Sequence, residues 1–198
     1  MDTALACPQR NASARWDFAD GRAVTVRAVQ PDDLQLASEF VARGLTQQSR
    51  YQRFQTGLSA LPPGMAAYLT NIDLRQHVAL LAVADHGGGA QQVGEARYVC
   101  DGDLPDQAEF ALAVADDWQG LGLGGRLLRQ LVRVARRHGV RRLYGDVLRT
   151  NQPMLALARA HGFRPERQGD ARLARVALAL DEPLPQPIHR PVRDRLRA

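Results

Sequence analysis

Apolar and polar positions change rhythm several times along this chain, and each change predicts an element. Trp16 and Phe18 alternate with polar residues ahead of Asp20-Gly21, a hairpin-type turn, while Met1 to Arg15 show no period and are expected to be loose. Ala23 to Val29 alternates cleanly, with Val24, Val26 and Ala28 on one face, and predicts the first strand. Pro31-Asp32-Asp33 opens a helix whose apolar stripe is Leu34, Ala37, Val41 and Leu45. Gln47 to Phe54 and the segment from Pro62-Pro63 to Thr70 predict two short helices. The first carries Arg50, Tyr51, Arg53 and Phe54, and the region is a candidate substrate rim, with a solvated helix pair as the alternative. His77 to Ala84 is almost wholly apolar, the mark of a buried strand. Gln92 to Cys100 and Gln107 to Val114 follow as strands joined by hairpins.

The rhythm then switches. Four glycines fall within the six residues Gly120 to Gly125. An amphipathic helix of about 17 residues follows. It has Leu127, Leu131, Val134 and His138 on one face, Arg126, Arg129, Arg133 and Arg137 on another, and Gly139 at its end. Arg142 to Leu148 is a strand, expected to run parallel to the one ending at Val114. Asn151 caps a helix that ends at His161-Gly162, and Phe163 to Arg167 and Leu173 to Leu180 form a closing pair of strands. This divides the chain into an N-terminal extension (residues 1–22), one folded domain (23–180) and a tail (181–198). The tail holds four prolines and four arginines and is expected to be disordered or to lie along the surface.

Composition narrows the chemistry. The net charge is +5, and all 26 basic residues are arginine, for the chain contains no lysine. Isoleucine occurs only at Ile72 and Ile188, so a GC-rich coding bias explains both scarcities. The basicity suits anionic ligands such as phosphates. It forms no run interleaved with aromatics, which argues against a nucleic-acid partner. Cys7 and Cys100 have no metal-ligand spacing and require no disulfide, so a reducing cytoplasm fits. Thr3 to Cys7 lacks the basic start and apolar length of an export signal, and no run reaches membrane-spanning length. No metal site and no membrane are expected.

A glycine-rich loop opening a helix presents unpaired N–H groups and the positive end of a dipole, an anion site. Three readings compete for it. Gly120-x-Gly122-x-x-Gly125, with Asp146 further on, matches the dinucleotide-binding pattern in form. That pattern normally starts a domain, whereas here it follows a meander. A Walker-type loop needs a lysine, which the chain lacks. The third reading rests on Gln119-Gly-Leu-Gly122-Leu-Gly124 after the strand ending at Val114. With the preceding meander, the following strand, Asn151 and Gly162-Phe163, this stretch resembles motif A of the GNAT superfamily of N-acyltransferases. Ser49-Arg50-Tyr51-x-Arg53-Phe54, Ala108-Glu109-Phe110-Ala111 and Pro153-Met154-Leu155-Ala156-Leu157-Ala158 are similar, more closely, to the catalytic domain of bacterial protein lysine acetyltransferases.

The resemblance implies an α/β, GNAT-like three-layer fold: a mixed, mostly antiparallel sheet of about six to seven strands with helices on both faces. It implies acetyl-CoA as donor and a protein lysine or a small amine as acceptor, in a monomer or homodimer. The diphosphate would meet the backbone of Gln119, Gly120, Leu121, Gly122, Leu123, Gly124, Gly125 and Arg126, with the Arg126 side chain adding a charged bond. The backbone of Leu112, Ala113 and Val114 would bond the pantetheine arm, and Asn151 would hold that arm or cap its helix. A lysine amine is mostly protonated at neutral pH, so a base must take its proton. Glu109 matches the family's base and is out of place in a buried run, although an exposed or ion-paired role is the alternative. Glu95 is a weaker candidate, readable as a solvent-facing position. The tyrosine that commonly protonates the leaving thiolate is replaced by Ala158, which leaves open a non-catalytic acyl-CoA-binding or partner-docking module. An enzyme acting on lysine also offers a second account of the missing lysines, avoidance of self-modification.

Overall fold

Two long apolar strands, β3 (His77–Asp85) and β4 (Ala90–Cys100), form the centre of the sheet. Val78, Leu80, Ala82, Ala96 and Tyr98 on them are wholly buried. The computed structural model describes residues 13–85 and 87–180. The expected tail and most of the expected loose N-terminus lie outside the described residues. On one side of β3 stand β2 (Ala23–Ala28) and β1 (Ser13–Asp17), and beyond β4 come β5 (Gln107–Val114), β6 (Arg142–Leu148), β8 (Leu173–Ala179) and β7 (Arg164–Glu166). Every neighbouring pair is antiparallel except β5 and β6.

The sheet therefore has eight strands rather than six to seven. The additional one is β1, which pairs with β2 from Ser13↔Arg27 to Asp17↔Ala23. The Trp16 and Phe18 alternation before the Asp20-Gly21 turn belongs to this hairpin, but Ser13 to Arg15, expected to be loose, are part of the strand, with only Ala14 and Trp16 buried.

Helices cover both faces. α1 (Leu34–Glu39), α2 (Gln47–Phe54) and α3 (Pro63–Thr70) precede β3. α4 (Leu123–Arg137) joins β5 to β6, and α5 (Gln152–Ala160) follows β6. Alternate β4 positions meet different layers. A Cβ on Gly94 would stand 3.0 Å from Leu127 of α4, whereas Arg97, on the opposite face, donates to Leu69 O of α3 at 3.2 Å. The first helix departs from its expected stripe. Ala37, Val41 and Leu45 are buried, but Leu34, at the first helical position, is exposed, and Phe40, which opens a π-turn at Phe40–Gly44, joins the core. α4 runs for 15 residues, slightly shorter than expected, since Gly122 at φ 85° caps its start and Gly139 at φ 81° follows its end.

Among the described residues no helix is long and apolar enough to cross a membrane, and no group of three His, Cys, Asp or Glu could hold a metal ion.

Candidate active site

The sheet opens between β5 and β6. They pair only from Gln107↔Arg142 to Glu109↔Tyr144, after which the strands part. At the parting point the Phe110 ring occupies the place of a missing side chain, for a Cβ on Gly145 would lie 2.8 Å from it. The gap widens into a cavity of about 420 Å³. β5 stays paired to β4 as far as Gly94↔Val114, so Leu112, Ala113 and Val114 have a strand on one side only and line the cavity on the other.

The glycine loop closes the wide end. Its helix begins with no side-chain cap. The first bond across Gly122 runs from Arg126 N to Gly122 O at 3.1 Å, so the N–H groups of Leu123, Gly124 and Gly125 precede it and are not used by the helix. These three residues, with Gln119, Gly120 and Gly122, line the cavity. Asn151 lines it too, and its Oδ1 accepts from Met154 N at 3.1 Å as the cap of α5.

Two expected members send their side chains elsewhere. The Leu121 side chain packs against the core. Arg126 points away, its Nη1 donating to Asp17 O at 3.0 Å and its guanidinium lying 4.6 Å from the Trp16 ring centre and 5.2 Å from that of Phe18. Its side chain is a bridge to the first hairpin and does not line the cavity. The helical period put it on a polar face, and nothing in the sequence announced that β1 would cover that face.

α2 spans the cavity from wall to wall. Asp116, in the turn after β5, accepts from Thr46 N (2.9 Å), Thr46 Oγ1 (3.1 Å) and Ser49 Oγ (2.8 Å) at the start of α2. At its far end Gln55 Nε2 donates to Asp146 O of β6 at 3.2 Å. Ser49, Gln52 and Arg53 thereby line the cavity, whereas Arg50, Tyr51 and Phe54, the other residues expected at a substrate rim, do not.

The two candidate bases have opposite environments. Glu109 opens into the narrow end of the cavity. Burial and then the like charge of Asp146 push its pKa up, against the smaller opposing pull of Arg175 and Arg53. Glu95 is buried and not solvent-facing: Arg97 holds it through Nε at 2.6 Å and Nη2 at 2.8 Å, and Arg53 approaches at 3.4 Å. Burial alone would raise its pKa, but the two guanidiniums hold it at about 2. It is a counter-ion, unfit to accept a proton near neutrality.

Asp146, noted in the sequence only as the acid that follows the glycine pattern, also lines the cavity. Arg175 holds it at 2.9 and 2.6 Å and keeps its pKa low. The lining residues include no tyrosine, histidine or cysteine, and Ala158 is wholly buried.

Residues 52–163 match the model of the acetyltransferase (GNAT) family. The chain belongs to the GNAT acetyltransferase family. It is 35% identical over 153 residues to acetyltransferase PA5475 of Pseudomonas aeruginosa, a match that spans 76% of this chain and 80% of that protein. It is 33% identical over 104 residues to acetyltransferase Pat of Mycolicibacterium smegmatis, covering 52% of this chain but only 30% of Pat. Among solved structures, the GNAT domain of S. lividans PAT superposes with a TM-score of 0.76 at 26% identity, over 84% of this chain and 96% of that one. The fold is the GNAT fold, and the enzyme is an acetyl-CoA-dependent acetyltransferase.

Proposed function

We propose that this enzyme moves the acetyl group from acetyl-CoA to a primary amine, a protein lysine ahead of a small amine, by direct attack with Glu109 as general base. One observation carries the reading: Glu109 stands at the last paired position of β5 and β6, where the cavity begins, in surroundings that raise its pKa. A carboxylate with a raised pKa is a stronger base than an ordinary glutamate. It takes the proton of the incoming amine, directly or through a water. The departing thiolate has a reference pKa near ~8.5. No tyrosine, histidine or cysteine lines the cavity, so its proton comes from solvent or from the substrate.

The remaining lining residues supply the donor's binding. The N–H groups of Leu123, Gly124 and Gly125 and the dipole of α4 receive the diphosphate. Gln119, Gly120 and Gly122 shape that loop. The open edge of Leu112, Ala113 and Val114 pairs with the pantetheine amides as a strand would, and Asn151 bounds the arm on the α5 side. The protein-lysine preference is supported by the likeness to the GNAT domain of S. lividans PAT and by the Ser49–Phe54 motif on the cavity rim.

Labelled acetyl-CoA offered to a mixture of lysine-containing proteins and small amines tests the acceptor. Label on protein lysines, read by mass spectrometry, supports the proposal, and label confined to small amines removes its lysine clause. Glu109→Gln tests the base. It should bind acetyl-CoA as the parent does yet turn over about 10²-fold more slowly.

A further inference from the structure

The loop that receives the diphosphate has almost no side chains with which to fix its own shape. Gly120 and Gly122 both adopt left-handed conformations, at φ 77° and 85°. Glycine loses more conformational freedom on ordering than any other residue, so such a loop binds weakly unless something else holds it. The element that holds it is the β1–β2 hairpin, which lies outside the family match at residues 52–163.

We propose that the β1–β2 hairpin is a positioning device for the donor, gripping Arg126, Trp118 and Asp117 so that the Gln119–Gly122 loop keeps the shape that receives a diphosphate. The grip has two arms. In the first, the Arg126 guanidinium lies over Trp16 and Phe18 and bonds Asp17 O, which fixes the first turn of α4 to β1. In the second, the Arg22 guanidinium lies 4.6 Å from the Trp118 ring centre and donates to Asp117 O at 2.8 Å, while Asp20 orients it through a 2.7 Å bond to Nε. Phe18 joins the arms, meeting Trp118 edge-on at 5.8 Å. Trp118 is 1% exposed, precedes Gln119 in the chain and itself lines the cavity. The loop is thus pinned on both flanks, and Gln119 Nε2 bonds back to Val114 O at 3.2 Å across its neck. Both guanidiniums are partly exposed, so each cation–π contact is modest, and it is their sum with the two carbonyl hydrogen bonds that holds the loop.

The experiment compares two donors, acetyl-CoA and acetyl-pantetheine, which lacks the diphosphate. Arg126→Met should raise the KM for acetyl-CoA about tenfold with kcat within about twofold. It should leave kcat/KM for acetyl-pantetheine unchanged. Arg126→Lys, which keeps the charge and a donor for Asp17 O, should recover most of the loss, and Arg22→Met should show a weaker version of the same split. Equal losses on both donors, or an unchanged KM for acetyl-CoA, would overturn the proposal. Should Arg126→Met fail to fold, Arg22→Met and Arg126→Lys carry the same comparison. The inference rests on the diphosphate lying at this loop, which Gly124→Glu tests separately. If acetyl-CoA affinity survives that variant, the loop assignment fails; if affinity is lost there but not in Arg126→Met, the grip alone fails.

Discussion

Glu95 and Glu109 stand on adjacent strands of one sheet, yet their surroundings push them in opposite directions. Around Glu95, two guanidiniums converge on a buried carboxylate, and His77 and the Leu69 carbonyl engage Arg97 behind it. Around Glu109, the strands part and Arg175 is held by Asp146 instead. Arg53 approaches Glu95 rather than Glu109. An acid whose charge is matched at hydrogen-bond distance becomes structural. One left at the mouth of a gap, with a like charge near it, keeps the capacity to take up a proton. The two regions share Arg53, so the folding cluster also forms a wall of the reaction cavity.

The largest way to break this contrast is to remove the structural acid. Glu95→Ala leaves Arg97 and Arg53 buried without their counter-charge and should cost about 3–5 kcal/mol of stability, read by denaturant unfolding. A loss under about 1 kcal/mol would mean that the cluster is a surface-like ion pair and that the contrast with Glu109 is illusory. Glu109→Gln should do the reverse. It lowers kcat about 10²-fold while the unfolding free energy moves by no more than about 0.5 kcal/mol. Should both variants lose stability equally, Glu109 belongs with the structural acids.

A smaller effect separates the regions by pH. Burial, then Arg97, lowers the pKa of His77 from 6.5 to about 4, and Nε2 accepts from Arg97 Nη1 at 2.8 Å. Between those values the unfolded chain holds a proton that the folded chain refuses. Stability is therefore fully present above pH 6.5 and is lost as pH falls toward about 4. Glu95 acts with the same sign lower down, from 4.5 toward about 2. Burial also lowers His138, which adds to the upper part of the slope. His77→Gln can still accept from Arg97, and it should flatten part of the fall in unfolding midpoint between pH 6.5 and 4. An unchanged slope would free the cluster from any proton linkage at His77.

What the sequence showed of these regions follows from how each is built. The donor side is local: an apolar strand, four glycines and an amphipathic helix lie in one continuous stretch, and periodicity with glycine chemistry reads them directly. Glu109 stood out for the same reason, as an acid within an apolar run. Glu95 did not, because its partners come from α2 and from two residues along its own strand, and no spacing rule joins Arg53 to position 95. The contacts of Arg126 with the first hairpin were not legible either, since a helical wheel shows which face is polar but not what packs upon it. Asp146 and Gln55 entered the cavity wall only once α2 was seen to bridge β5 and β6.

The smallest effect is the most diagnostic of Glu109. The charged or titratable groups acting on it are Asp146 from β6, Arg175 from β8 and Arg53 from α2, and Tyr144 lies beside it in register. Asp146→Asn removes the like charge and should lower the pKa of Glu109, moving the acid limb of kcat/KM to lower pH by a fraction of a unit. Arg175→Met removes an opposing charge and should move the same limb to higher pH. The pair is informative because Asp146 and Arg175 are bonded to each other, so general damage to the cavity wall would affect both variants alike. Limbs that shift in opposite directions therefore report a charge felt at Glu109. Limbs that shift together, or not at all, would assign the acid limb to another group and leave Glu109 as part of the wall.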